Sequence, residues 1–354
     1  MERTNPSFHN KRSLFQRIDA LPRGPEWKVE TMVVEGDIQT EDGNCLVEEV
    51  ELWWRDPVSC VKELLGSRHL APHLHFEPQK KFEDDAGQER HIDEFHTGDY
   101  MWKLQVSTFK QNKQHTDSRH KKDKLPDGAT VAPVIISSDK THLSVMSGDS
   151  HAWPVYLTLG NISKSVRRKP TMRAQILLAY LPVTKPQVFS KARRSLEIYR
   201  LFHRCMKRVL ESLKGAGEDG EDILCADGFV RRVWPILAAY IADFPEQCLV
   251  SCCQENHCPM CKVPPDERGE PTTYNTKDQD DISDILQDHA RGLKPREFAD
   301  LGLRAVYDHS GKIFRIAISS QVLHLISCIS STRASSRTTL SNGAQKQLQK
   351  GKMR

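Results

Sequence analysis

Between Ala132 and Cys252 short apolar runs alternate with turn signals, and in the middle stands one long amphipathic stretch. A chain patterned this way must bury a sheet against helices, which points to an α/β domain. Ala132–Ser137 (APVIIS), Trp153–Leu159 (WPVYLTL) and Arg173–Leu181 (RAQILLAYL) are apolar runs with the character of strands. Arg193–Leu213 places Leu196, Tyr199, Phe202, Met206, Val209, Leu210 and Leu213 mostly three or four apart. That spacing predicts a helix, ended by Gly215 and Gly217. Asp222–Ala226 (DILCA) reads as a fourth strand and Cys248–Cys252 as the start of a fifth. Val230–Phe244 between them reads as a second helix, with Pro235 near its first turn.

Three strands, helix, strand, helix, strand is the order of an RNase H-like mixed sheet with flanking helices. A generic α/β domain fits the same pattern. We divide the chain into a polar N-terminal region (1–124), a partial RNase H-like core (125–247), a Cys-rich insertion (248–295) and a polar, disordered tail (296–354). Within the first region VSCVKELL, Val58–Leu65, predicts a short helix closed by Gly66. Lys110–Lys124 has almost no apolar residues and predicts a loop.

The bulk properties exclude little. With 38% hydrophobic residues the chain can bury a sizeable core. A formal charge of +4 permits a nucleic-acid partner without requiring one. No apolar run is long enough for a membrane span, and the N-terminus has no secretory pattern, so the ten cysteines read as thiols or metal ligands.

Two strand ends carry acids. The first strand runs into Ser138-Asp139-Lys140, the fourth into Cys225-Ala226-Asp227-Gly228. An RNase H-like sheet would set these strands side by side and bring Asp139 and Asp227 together. Paired carboxylates repel unless a cation lies between them, and Mg²⁺ or Mn²⁺ held there could activate a nucleophile on a phosphodiester. The plainer alternative is that each Asp starts a turn.

Five of the ten cysteines lie between Cys248 and Cys261. Cys258-Pro259-Met260-Cys261 is a C-x-x-C knuckle able to offer two thiolates to Zn²⁺, and Cys253 is within reach. The fourth ligand stays open among Cys252, taken first, Cys248, His257 and His289. Pro264-Pro265 close behind argues against a thioredoxin-like redox helix. Inert buried thiols are the remaining reading. The clusters Arg167-Arg168-Lys169 and Arg231-Arg232 could touch phosphate or be solvated turns.

Taken together, LPDGATVAPVIISSDKTHLSVMSGDSHAWPVYLTLGNIS, RRKP and ILCADGFVRRVWPILAAYIADFPEQCLVSCCQENHCPMC resemble the Plavaka transposases of basidiomycete fungi, relatives of the Kyakuja–Dileera–Zisupton transposases. The resemblance spans roughly Val47 to Asp308. It implies an RNase H-like core with a D-D-E/D triad that binds divalent metal and cuts and joins DNA at element ends, a nuclear location and possible homo-oligomers. Carried over, Asp139 in SSDKT is the first acid, Asp227 in CADG the second, and the cysteine knuckle a zinc-binding insertion before the third.

Two departures follow from the same resemblance. Members often begin with a DNA-binding zinc finger upstream, which has no counterpart here. After LGLRAVYD the family pattern leads to a segment like PDLLHQLHKGV with the third acid, whereas this chain reads HSGKIFRIAISSQVLHLISC. Gln321–Leu340 can be back-translated so that a frame two bases later reads SPSPDLLHQLHKGVLKDHL. We therefore expect a truncated, frame-shifted copy without the third acid and without strand-transfer activity. A non-enzymatic protein that binds zinc and DNA is the alternative.

Overall fold

The computed structural model describes residues 8–19, 24–84, 87–102, 129–143, 151–270 and 272–307. Its centre is one mixed sheet of eight strands. They are β1 (Trp27–Gln39), β2 (Cys45–Arg55), β5 (Thr130–Ser138), β6 (Thr141–His142), β7 (His151–Leu159), β8 (Ile176–Leu181), β9 (Glu221–Leu224) and β10 (Val230–Ile241). Two further short strands, β3 (Lys81–Phe82) and β4 (Arg90–His91), make a separate hairpin. The order across the sheet is β1-β2-β8-β7-β5-β10-β9, with β6 against β7. Every neighbouring pair is antiparallel except β5 and β10, which run parallel.

The first three expected strands are present, and they form the expected antiparallel group β5-β7-β8. β5 is buried on both faces, which is why its sequence is a continuous apolar run rather than an alternating one. Ala132, Val134 and Ile136 face the main core with Leu157, Leu178, Phe202, Met206 and Leu213. That core is roofed by α2 (Pro57–Gly66), α4 (Lys191–Val209) and α5 (Glu211–Asp219). On the other face Val131 and Ile135 meet Phe95, Tyr100 and Met101.

The expected long helix is two: it breaks at Leu210, and Gly215 and Gly217 lie inside the second piece. The real stop is Gly220, at φ +74°. Two expectations fail outright. Val230–Ile241 is the strand β10, not a helix. Val230, Val233, Trp234, Ile236, Tyr240 and Ile241 favour extended backbone, and the strand is buried nearly end to end. Pro235 is tolerated because β9 pairs only as far as Val233, leaving one side of β10 open beyond it. Cys248–Cys252 is not a strand: Phe244–Val250 is a helix, α6, running into a turn. Asp243 caps it, Pro245 is in its first turn, and Glu246 follows at the third position, an arrangement that starts helices.

Residues 1–124 contribute more than a patchily ordered region. The β1–β2 hairpin extends the main sheet through Trp53 and Trp54, which pair with Tyr180 and Ala179. The predicted short helix is α2, capped by Asp56. The Lys-rich segment Lys110–Lys124 and the residues beyond Tyr307 lie outside the described residues. So the expectations made for the altered frame cannot be placed in the fold. A small core of Ile282, Leu286, Leu301 and Leu303 joins α7 (Gln279–Ala290), α8 (Arg296–Asp300) and the turn after it, so the start of the expected disordered tail is folded against the Cys-rich insertion. The remaining helices are short: α1 (Lys11–Asp19) and α3 (Lys164–Arg167). Among the described residues no helix is long and apolar enough to cross a membrane.

Candidate functional site: an acid pair at the sheet end and a thiol cluster

Asp139 directly follows β5 and is exposed. β5 lies between β7 and β10 and not beside β9, and the acid that follows β10 is Asp243. The parallel register pairs Ile241 with Ser137. Both strands end before the acids; the register continued by two residues would bring Asp243 level with Asp139. Asp243 is exposed as well, and its Oδ1 accepts the Glu246 amide at 2.9 Å as the cap of α6.

Behind the pair lies Glu246, a buried carboxyl. Its Oε1 accepts from Ser138 Oγ at 2.5 Å and from Trp153 Nε1 at 2.7 Å. Burial raises its pKa, the two hydrogen bonds oppose that, and the charges of Asp243 and Asp139 raise it further. Both acids therefore act on the same point. A small cleft of about 30 Å³ opens beside Trp153 between Lys140, Thr184, Phe202 and Cys205.

Asp227 is not brought to Asp139. It sits in the turn between β9 and β10, at the start of β10, while Asp139 faces the end of that strand. Twelve residues of β10 separate the two ends, on the order of 40 Å. Asp227 is also already engaged. Arg231 grips both its oxygens at 2.8 and 2.7 Å, and that contact, before any other, holds its pKa below the usual carboxylate range. The signal for Asp243 was in the sequence, IADFPE, where an apolar run ends in an acid. Reading that run as a helix hid it.

Four of the five clustered thiols, Cys248, Cys253, Cys258 and Cys261, lie near Lys277. Cys258 Sγ lies 3.5 Å from Cys261 Sγ and accepts the amides of Met260 and Cys261, both at 3.4 Å. Cys253 and Cys248 hydrogen-bond to each other; this lowers the Cys253 pKa to about 7 and raises that of Cys248. Buried Lys277 feels the charge of Cys253, Cys258, Cys248 and Cys261 together, and its Nζ donates to Leu301 O at 3.0 Å. Cys252 turns the other way. Its sulfur lies 3.1 Å from His203 Nε2 in the main core, and its backbone φ is +55°. His257 bonds Asn256 through Nδ1, its carbonyl accepts from Cys248 Sγ at 3.8 Å, and His289 stacks on Phe298 at 3.8 Å. The group is thus Cys248, Cys253, Cys258 and Cys261. Among the described residues no three His, Cys, Asp or Glu side chains converge closely enough to hold a metal ion. The sulfurs are neighbours, not a closed cage.

The basic clusters differ. Arg231 and Arg232 are paired with Asp227 and Asp222. Arg168 and Lys169 are exposed in the turn after α3, while Arg167 is half-buried and donates to Ile162 O.

The architecture defines a mixed α/β protein in which an acid follows each strand of the central parallel pair within two residues. A family model described as Plavaka transposase matches residues 8–325. The chain belongs to the Plavaka transposase family. No curated protein matches it.

Proposed function

We propose that this chain is the DNA-handling core of a transposase, with Asp139 and Asp243 as the carboxylates for Mg²⁺ or Mn²⁺. The observation that carries the reading is the parallel register of β5 and β10, which, continued past Ile241 and Ser137, would bring two strand-end acids together. The strand order β8-β7-β5-β10, antiparallel except for the last pair, supports an RNase H-like fold. Asp243 replaces Asp227 as the second acid. When bound, divalent metal would supply Lewis-acid charge for phosphodiester cleavage and transfer. The two exposed carboxylates would hold it, oxygen donors of the kind Mg²⁺ requires.

The third acid that the resemblance implies belongs to a segment that this chain replaces by another reading, and among the described residues no three acids come together closely enough to hold a metal ion. The chain accordingly binds metal and DNA, and does not cut. Purified protein should bind duplex DNA with a steep salt dependence and leave supercoiled plasmid intact in Mg²⁺ or Mn²⁺. Nicking that disappears in Asp139→Asn and Asp243→Asn would show a complete site and overturn the inactive reading. The family's activity fits location in the nucleus and assembly of copies on DNA ends.

Zinc at Cys248, Cys253, Cys258 and Cys261 is the structural part of this proposal. Four thiolates on Zn²⁺ carry two net negative charges, and buried Lys277 offers a compensating cation. A reading as a non-enzymatic zinc- and DNA-binding protein is favoured over the transposase fragment only if Asp139 and Asp243 bind no divalent metal.

A further inference from the structure

We propose that Glu246 is the positioning residue of the acid pair; this rests on the assignment of Asp139 and Asp243 as metal ligands. Glu246 is buried, as are Ser138, Tyr240 and Trp153 around it. Its Oε1 accepts from Ser138 Oγ at 2.5 Å and Trp153 Nε1 at 2.7 Å. Ser138 Oγ lies 2.5 Å from Tyr240 OH. A serine hydroxyl has one proton, and here it goes to Glu246, so Tyr240 is the donor to Ser138. One carboxyl oxygen therefore ties together the end of β5 at Ser138, the start of β7 at Trp153 and, through Ser138, the end of β10 at Tyr240.

The tie reaches both acids through covalent neighbours. Ser138 immediately precedes Asp139, so fixing its side chain fixes the strand end from which Asp139 projects. The backbone amide of Glu246 donates to Asp243 Oδ1 at 2.9 Å, which sets the rotamer of Asp243. Trp153 is itself held by stacking on Phe202 of α4, ring centres 5.4 Å apart. Glu246 need not touch the metal to control it. It sets the spacing of the two side chains that do, the usual task of residues behind metal ligands.

The test is Mn²⁺ affinity of the full chain by electron paramagnetic resonance. Glu246→Ala should weaken Mn²⁺ binding by about tenfold or more, as loss of an outer partner does. Glu246→Gln keeps an oxygen that accepts from Ser138 and Trp153 and should stay within about threefold of the parent. Ser138→Ala cuts the link to Asp139 with little change in volume and should weaken binding by at least about threefold. Leu249→Ala, a core truncation in the same helix, should lower the melting temperature and spare Mn²⁺ affinity. Equal losses in Leu249→Ala and Glu246→Ala would reduce Glu246 to a stabilising role and overturn the proposal. So would unchanged affinity in folded Glu246→Ala or, if that variant does not fold, in Ser138→Ala. If the parent binds no Mn²⁺, or binds it equally in Asp139→Asn and Asp243→Asn, the acid-pair assignment itself falls.

Discussion

His96 should make this protein acid-labile. Its side chain is 2% exposed, and neither ring nitrogen has a hydrogen-bond partner among the described residues. The ring stacks on His75 at 3.9 Å. Burial, then the nearby His75, Lys81 and Arg167, depress its pKa from 6.5 to about 4, with Asp93 opposing. The folded state therefore holds fewer protons than the unfolded chain between those values. Stability is complete above pH 6.5 and is lost as pH falls toward 4. The full displacement is worth on the order of 3 kcal/mol, of which about 2 kcal/mol is gone by pH 5. Urea unfolding at pH 7.5, 6 and 5 should show that loss in the parent chain. In His96→Leu the extra slope should vanish, whatever the variant's absolute stability, leaving the smaller contribution of His75, whose pKa is lowered by burial. Parallel pH curves for the two proteins would refute the argument.

Three further outcomes follow from local geometry. Gly220→Ala places a Cβ 2.7 Å from the Trp234 ring at φ +74°, and should cost about 1–3 kcal/mol in urea unfolding. Cys252→Ala should lower stability while leaving the zinc content unchanged by mass spectrometry; Cys248→Ala, Cys253→Ala or Cys258→Ala should abolish it. Asp227→Asn breaks an exposed ion pair and should change stability by no more than about 1 kcal/mol, with no effect on Mn²⁺ binding.

What the sequence disclosed, and what it hid, has a physical pattern. β5, β7, α2 and the long amphipathic helix were legible because each carries its own periodicity or a run of β-branched residues. Asp139 was legible because an apolar run ends in it. β10 was misread because a strand buried on both faces has no alternation, and the apolar run Val233–Ile241 looks as much like a core helix as a strand. That single error hid Asp243 at the end of the run and turned α6 into a strand. The hairpin β1–β2 escaped because Glu30, Glu35, Glu48, Glu49 and Glu51 dilute its apolar face. The gathering of cysteines was visible, but which of the adjacent Cys252 and Cys253 joins it depends on a left-handed turn at Cys252 that spacing alone does not reveal.

The central claim is that Asp139 and Asp243 together hold divalent metal. A crystal of this chain soaked in Mn²⁺ and measured at the manganese absorption edge tests it most directly. The account predicts an anomalous peak between the ends of β5 and β10, in contact with both carboxylates and absent from Asp243→Asn. A peak at Asp227, or none near Asp139, would contradict it.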